Sequence, residues 1–345
     1  MGMKFSIFYF ADGAEARDEG LYRLLIDGAR FADENGFEAV WTPERHFHAF
    51  GGPYANPSVT GAAIAAVTTR VRIRAGSVVA PLHHPLRIAE EWSMVDNLSG
   101  GRVGIAFAPG WNPVDFAFSP QAYDTRARVV AETVEQVRSF WAGEPAAVVD
   151  GKGQTRQVLL HPRPVQKELP IWLTSGGSRQ TFESAGRLGT GLLTHLFDQD
   201  IDELAEKIAL YRRAAKESSA EPNVVVMLHT LLGTSRAEVR SLVRAPMKEY
   251  LRSSLDLMSR TSLVDEDLDP ALLEELMDEV LERAFERYFA HGALFGTVED
   301  GRQRIEELRA AGVDEVACLI DFGLPDSTVL HGLRHLRDLK QSCDE

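Results

Sequence analysis

The chain has 345 residues, of which 44% are hydrophobic and 26% are charged, a globular composition that excludes a disordered, collagen-like or coiled-coil protein. Its 37 lysines and arginines against 51 aspartates and glutamates give a net charge of −14. An acidic chain without a run of basic residues lacks the charge that attracts nucleic acid or anionic lipid, so we expect neither partner.

Apolar runs that are typical of strands alternate with amphipathic helical patterns along the chain. This alternation predicts parallel strands joined by right-handed crossovers. Eight strand and helix units predict an α/β chain that closes into a (β/α)8 TIM barrel. The predicted strands are residues 4–10, 37–41, 71–79, 103–107, 170–174, 191–195, 224–231 and 313–320. The predicted helices are residues 21–34, 57–67, 86–97, 125–141, 179–188, 202–216, 236–258 and 298–311.

Two stretches interrupt this alternation. Residues 142–169 contain glycines and prolines around two short apolar runs, which predicts a hairpin inserted after the fourth helix. Residues 259–297 are acidic and helical in pattern, which predicts a helical insertion before the eighth helix. Because neither stretch has the apolar residues of a separate core, we expect residues 1–345 to form a single barrel domain.

Two helix starts have specific signals. Asn56 precedes Pro57, a pair that is typical of an N-cap followed by the first helical residue. Thr297 precedes Glu299 and Asp300, and acidic residues favour the first turn of a helix.

Active sites in barrels of this type lie at the carboxyl ends of the strands. The second predicted strand is followed by the densest cluster of ionisable and aromatic residues, which includes Glu44, Arg45, His46 and His48. His46 can exchange a proton near neutral pH, Glu44 can orient it, and Arg45 can hold an anion or a developing negative charge. The alternative is a structural pair of Glu44 and Arg45 beside a solvated His48.

The fifth predicted strand is followed by Ser175, Gly176, Gly177, Ser178 and Arg179. Two glycines allow the backbone to approach a ligand closely, and the free amides at the start of the next helix form an anion site. The two serines and the arginine would reinforce it, so a phosphate group fits there. The alternative is a plain strand-to-helix turn that needs glycine for its backbone conformation.

Histidines and a tryptophan also follow predicted strands. We interpret His83 and His84 as a loop pair that bonds backbone carbonyls rather than a ligand, and Trp111 as loop packing.

The two cysteines, Cys318 and Cys343, have no metal-binding spacing, and Cys318 lies inside an apolar run. A disulfide framework is therefore not expected, and a reducing compartment, the cytoplasm, is the expected location. No apolar stretch approaches the ~18 residues of a membrane-spanning helix.

An ordered series of segments resembles the bacterial luciferase-like, flavin-dependent monooxygenase family. The similarity is greatest to the subgroup found beside nonribosomal peptide and polyketide assembly lines. The segments are Trp41-Thr-Pro-Glu-Arg-His-Phe47, Asn56-Pro57, residues 72–81, His84-Pro85, residues 96–116, Thr194-His195 and residues 296–323.

This resemblance implies a barrel that binds reduced FMN, supplied by a separate flavin reductase, at the carboxyl face. It implies that the flavin reacts with O2 to a C4a-peroxyflavin and that one oxygen atom is then transferred. The reaction would be N- or C-hydroxylation of a small or carrier-tethered biosynthetic intermediate. The resemblance also implies a homodimer that pairs through helices near the second and third strands, where residues 62–67 are small and apolar.

The same resemblance assigns residues to the cofactor. Ser175, Gly176, Gly177, Ser178 and Arg179 match the segment that holds the FMN phosphate. Gly76 and Ser77 match a non-proline cis peptide under the flavin ring. The remaining matches to cofactor-binding positions are Phe107, Ala108, Thr194 and His195.

The chain departs from the family pattern at two positions. Arg45 replaces the first histidine of the luciferase Glu-His-His-Phe motif, so either His46 acts as acid and base or Arg45 stabilises an anion without proton transfer. Pro109 replaces a serine that is common in the subgroup. Both departures favour a non-catalytic flavin-binding barrel as one alternative, and the sequence His46-Phe47-His48 suggests a metal-dependent barrel hydrolase as another.

Overall fold

A computed structural model describes residues 2–10, 20–48, 53–197, 199–218, 221–259 and 270–344. Eight parallel strands close into a barrel, which confirms the predicted fold. They follow the order β1, β2, β3, β4, β7, β8, β9 and β11 around the barrel, and pairs of β8 with β9 and of β11 with β1 complete the circle. The strands are β1 (Lys4–Phe8), β2 (Ala39–Thr42), β3 (Arg72–Val79), β4 (Val103–Ala108), β5 (Ala146–Val149), β6 (Thr155–Val158), β7 (Ile171–Thr174), β8 (Gly191–His195), β9 (Val224–Leu232), β10 (Leu294–Gly296) and β11 (Glu315–Leu319).

Helices surround the barrel, and the two predicted N-caps are confirmed. The Asn56 side chain accepts a hydrogen bond from the Ser58 amide at 2.8 Å, and Thr297 and Asp300 form a reciprocal capping box. The helices are α1 (Arg23–Glu34), α2 (Pro57–Val67), α3 (Pro85–Ser99), α4 (Arg126–Ala142), α5 (Arg179–Arg187), α6 (Ile201–Ala215), α7 (Arg236–Ser259), α8 (Pro270–His291), α9 (Val298–Ala310) and α10 (Asp326–Asp344).

The last helix of the barrel was assigned to the wrong segment by the sequence pattern. The predicted helix at residues 298–311 is α9, which precedes β11, and the helix that follows β11 is α10. The buried face of α10 consists of Val329, Leu333, Leu336 and Leu339, a spacing that is typical of a helix packed on a barrel.

The two insertions have different structures. β5 and β6 form an antiparallel hairpin with Ala146 opposite Val158, in the position that the glycines and prolines predict. In the second insertion, α8 packs antiparallel to α7, and Arg244 and Lys248 of α7 bond to Glu282 and Asp278 of α8. The three-residue strand β10, which the sequence pattern did not predict, then pairs with the carboxyl end of β9.

A buried ionic cluster fills the barrel at its amino-terminal end. Arg74 Nη1 donates to both carboxylate oxygens of Glu315 at 2.9 and 2.8 Å. Its guanidinium lies 4.9 Å from the ring centre of Trp41 and 4.5 Å from that of Trp172. The barrel is therefore packed at this end, and a cavity opens at the carboxyl ends of the strands.

Candidate active site

A cavity of about 550 Å³ lies at the carboxyl ends of the barrel strands, a size within the range of about 300 to 1,000 Å³ that is usual for small-molecule and cofactor sites. Most of the predicted site residues line it, and four do not. The lining residues among those predicted are Glu44, Arg45, Gly76, Ser77, Ala108, Ser175, Gly176, Ser178, Thr194 and His195. Those outside the lining are His46, Phe107, Gly177 and Arg179.

Glu44 is the centre of a buried acid and base cluster. Its Oε2 accepts a hydrogen bond from the Val79 amide at 2.7 Å. Its Oε1 lies 2.9 Å from His46 Nε2 and 2.5 Å from His83 Nε2. Burial opposes ionisation of Glu44, but the hydrogen bonds from the two histidines outweigh it and hold the pKa of the carboxyl below its ordinary value. Glu44 is therefore a carboxylate that orients two imidazoles.

His83 is a member of this cluster that the sequence interpretation missed. Burial lowers the pKa of His83, but the hydrogen bond to Glu44 outweighs this and leaves the pKa above its ordinary value. The interpretation of His83 as a partner of backbone carbonyls is wrong, because its ring bonds a carboxylate 39 residues away in the chain. His84 does not bond a carbonyl either, since its Nδ1 accepts from the Leu86 amide and caps the start of α3.

Arg45 presents its guanidinium to the cavity between two aromatic rings. The guanidinium carbon lies 5.1 Å from the ring centre of Phe10 and 4.9 Å from that of Trp111. Trp111 therefore stacks on a charged group, a role beyond the predicted loop packing. Burial lowers the pKa of Arg45, while the nearby Asp115 carboxyl opposes this change. Arg45 places a buried cation in the cavity wall, where an anionic group would be stabilised.

The segment Gly76–Ser77 has the backbone that the resemblance implies. The peptide bond between the two residues is cis. A Cβ on residue 76 would lie 2.6 Å from Cε2 of Phe8, so only glycine fits at this position. Ser77 Oγ lies 2.5 Å from Thr174 Oγ1, and this contact joins the ends of β3 and β7 across the cavity floor.

The turn between β7 and α5 borders the cavity and contains unpaired amide groups. Gly177 has a φ of +119°, and its amide donates to Ser175 Oγ at 3.2 Å. Within the described parts of the chain, the amides of Ser178, Arg179 and Gln180 donate to no protein acceptor, and the Ser178 side chain does not cap α5. Three such amides at a helix N-terminus form an anion-binding site.

Two basic side chains lie near this turn. Arg179 is 60% exposed, and its Nη2 donates to Glu206 Oε2 at 2.7 Å. Lys207 of α6 is only 12% exposed. Its Nζ donates to Gln199 Oε1 at 3.0 Å and lies 3.5 Å from the position that a Cβ on Gly177 would occupy. Lys207, which the sequence analysis missed, is therefore the buried cation beside the turn.

The opposite wall of the cavity contains a second histidine that the sequence analysis missed. His229 of β9 is 2% exposed, and its Nδ1 lies 2.7 Å from the Tyr288 hydroxyl of α8. Burial, together with the charge of His195, lowers the pKa of His229 to about 3. Its position inside a continuous apolar strand is the only signal in the sequence that indicates a buried polar group.

The described residues do not bring together three or more histidine, cysteine, aspartate or glutamate side chains in a geometry for a metal ion. His46, one of the two histidines behind the hydrolase alternative, bonds Glu44 instead. In the same parts of the chain, no helix combines the length and hydropathy that crossing a membrane requires.

Comparisons with known proteins agree with this geometry. A sequence profile of luciferase-like monooxygenases matches residues 3–315. The chain belongs to the luciferase-like monooxygenase family. Within this family, it is 24% identical over 336 residues to the oxygenase component of the flavin-dependent trigonelline monooxygenase of Acinetobacter baylyi, a match that covers 93% of this chain and 90% of that protein.

Solved structures show the same fold. The monooxygenase RslO1 from Streptomyces bottropensis superposes with a TM-score of 0.78 at 25% identity, covering 99% of this chain and 100% of that one. The oxygenating constituent of 3,6-diketocamphane monooxygenase from Pseudomonas putida, solved in complex with FMN, superposes with a TM-score of 0.76 at 17% identity, covering 98% and 97% of the two chains. The chain therefore shares its barrel fold with both of these monooxygenases.

Proposed function

We propose that this chain is the oxygenase component of a two-component monooxygenase. It takes reduced FMN from a separate flavin reductase and uses O2 to hydroxylate, at nitrogen or carbon, a small or carrier-tethered biosynthetic intermediate. The main support is the anion site at the start of α5, which lies in the same cavity as Glu44 and Arg45. The similarity to the trigonelline oxygenase component supports the division of labour with a reductase.

The residues present fit a flavin mononucleotide. The amides of Ser178, Arg179 and Gln180 suit the dianionic phosphate, and the buried Lys207 ammonium offsets its charge. Phe8, Val79 and Leu193 provide apolar wall for a flat ring. Bound reduced flavin would supply the electrons that activate O2, while the protein binds, orients and excludes water.

The chain's own ionisable groups have two roles, charge stabilisation and proton binding. Arg45 stabilises negative charge that develops in the cavity, because its guanidinium is buried there. Glu44 orients His46 and His83, and this cluster holds the proton that the reaction consumes. The ion-pair alternative for Glu44 and Arg45 has no support, since the Glu44 carboxylate bonds to the two histidines and the Val79 amide.

The phosphate assignment is tested by anaerobic titration with reduced FMN. We expect Lys207→Gln to weaken binding by about 10- to 100-fold, the loss of a charge-assisted hydrogen bond. Arg179→Gln is the matched control, because its exposed ion pair with Glu206 predicts a change of about twofold or less. An equal or larger loss in Arg179→Gln would return the phosphate role to Arg179, as the family resemblance implies.

The oxygenase assignment is tested separately by O2 uptake with a flavin reductase and NADH. Free reduced FMN itself reacts with O2 and gives hydrogen peroxide, so we expect this chain with a candidate amine or acyl-carrier substrate to replace peroxide by hydroxylated product and water. Saturable flavin binding without hydroxylated product across such substrates would favour the non-catalytic alternative. Failure to bind reduced FMN would contradict the proposal.

A further inference from the structure

One polar atom in the cavity wall has no partner. His229 lines the cavity from β9, and among the described residues its Nε2 is the one buried side-chain nitrogen or oxygen that makes no hydrogen bond. Buried polar atoms are almost always paired, because an unpaired one has lost its hydrogen bonds to water without replacement. An unpaired atom beside a ligand cavity indicates a group that the ligand completes.

The Tyr288 hydroxyl determines which ring nitrogen has the proton. This hydroxyl is buried and lies 2.7 Å from His229 Nδ1. A proton on Nδ1 would leave both the hydroxyl hydrogen and Nε2 unsatisfied. A proton on Nε2 lets Tyr288 donate to Nδ1 and leaves a single unsatisfied group, the Nε2–H donor. The low pKa of His229 keeps the ring neutral at physiological pH.

His229 lies among aromatic rings, with His195 nearby on the neighbouring strand β8. The rings of Tyr250 and Phe322 pack edge-on against the imidazole, with centres 4.4 and 5.3 Å away. Met227, two residues earlier on β9, lines the same cavity. β9 is four strands from β3 in the barrel order, so His229 faces Gly76 and Ser77 from the opposite wall. The space beside it is therefore available to a substrate.

We propose that His229 Nε2–H donates a hydrogen bond to the carbonyl oxygen of the substrate and that Tyr288 is the positioning residue that holds His229 in this tautomer. The substrate class is a neutral carbonyl compound: a ketone, an ester or an amide. A neutral donor suits a neutral acceptor, because the uncharged imidazole has no charge of its own with which to offset an anion. This inference rests on the proposed function in one respect, that the cavity receives an organic substrate.

The tautomer is tested by NMR of the ring nitrogens in protein labelled with ¹⁵N-histidine. We expect His229 to be neutral with its proton on Nε2, and Tyr288→Phe to convert it to a mixture of the two tautomers. A proton on Nδ1 in the unmodified chain would overturn the proposal, because Nε2 would then be an acceptor. Neither flavin nor substrate is present, so the outcome is independent of flavin binding.

The substrate class is tested with two probes of the same shape, acetophenone and α-methylstyrene, in which a CH2 group replaces the carbonyl oxygen. Flavin-free protein should bind acetophenone about tenfold more tightly, the contribution of one hydrogen bond in an apolar site. Equal binding of the two probes, including the absence of binding by both, would overturn the assignment.

Two isosteric variants show which nitrogen is responsible. His229→Gln places an amide near Nε2, and we expect it to retain most of the preference for acetophenone. His229→Asn places an amide near Nδ1 only, and we expect it to lose the preference while still bonding Tyr288. A preference retained in the asparagine variant would contradict the role of Nε2. Because all probes are tested without flavin, loss of FMN binding would refute the proposed function without affecting this result.

Discussion

At the residue scale, Glu44 couples two imidazoles through one oxygen atom. His46 and His83 both approach Oε1, while the Val79 amide occupies Oε2. A proton on either imidazole therefore interacts with the same buried carboxylate. This arrangement keeps both imidazoles out of the cavity lining, to which the Arg45 guanidinium belongs.

The coupling predicts a pH-dependent contribution to stability. The pKa of His83 lies above its ordinary value of 6.5, so its stabilisation is complete below pH 6.5 and disappears as the pH rises through the folded-state pKa. The pKa of Glu44 lies below its ordinary value of 4.5, so its stabilisation is present above pH 4.5 and disappears as the pH falls. Urea unfolding should show the largest difference in free energy of unfolding between the unmodified chain and His83→Gln at about pH 5 to 6, with a smaller difference above about pH 7.

The matched background for this prediction is Glu44→Gln. In that background, His83→Gln should have an effect that no longer changes between pH 5 and pH 8, because the carboxylate partner is absent. A pH-dependent effect that persists without Glu44 would assign the pKa shift of His83 to another group.

The sequence could predict which residues follow each strand, because strand ends have strong local signals. It could not predict which side chains meet across the barrel. Glu44 and His83 are 39 residues apart, and His229 and Tyr288 are 59 apart. Lys207 was identifiable in principle, since it lies one turn from Leu204 beside the buried face of α6, where a lysine needs a partner.

At the element scale, the prediction was correct where the hydrophobic period and the helix-capping residues indicate the same element. The eight barrel strands and the caps at Asn56 and Thr297 follow from local chemistry. α10 was missed although Val329, Leu333 and Leu336 have helical spacing, because its polar residues obscure the stripe. β10 has only three residues, too few for an alternating pattern, and its pairing depends on the length of β9.

One substitution at the amino-terminal ends of the strands should lower the free energy of unfolding strongly. Arg74→Met removes the partner of Glu315, whose side chain is 1% exposed, and leaves a buried carboxylate without a charge partner. We expect a loss of about 3 to 5 kcal/mol in the free energy of unfolding, measured by urea denaturation.

Arg72→Met, two residues earlier on β3, is the matched control. Arg72 is 50% exposed in its ion pair with Glu38, so we expect a loss of about 1 kcal/mol or less. Equal losses in the two variants would mean that Glu315 is satisfied without Arg74.

At the scale of the whole molecule, stability and chemistry occupy opposite ends of the barrel. Arg74, Glu315, Trp41 and Trp172 close the amino-terminal end, while the cavity and the anion site lie at the carboxyl end. Substitutions at one end should therefore change unfolding without changing flavin affinity of the folded fraction. This separation allows the loops at the carboxyl ends to differ from those of relatives while the barrel is retained.

Exposed apolar side chains on the outer surface predict a contact between two copies of the chain. Val59 of α2 and Met94 and Leu98 of α3 are 65%, 56% and 63% exposed on adjacent helices near β2 and β3, where the family resemblance implies a homodimer. Light scattering should give twice the chain mass of 38.2 kDa. Met94→Glu combined with Leu98→Glu should reduce this to the mass of one chain, because two-fold symmetry places each new charge in the interface twice.

Val149→Glu on the β5–β6 hairpin is the control, since Val149 is 72% exposed on a different surface and its substitution should leave the dimer intact. A single-chain mass for the unmodified protein, or a dimer that survives both charges on α3, would place these helix faces in solvent.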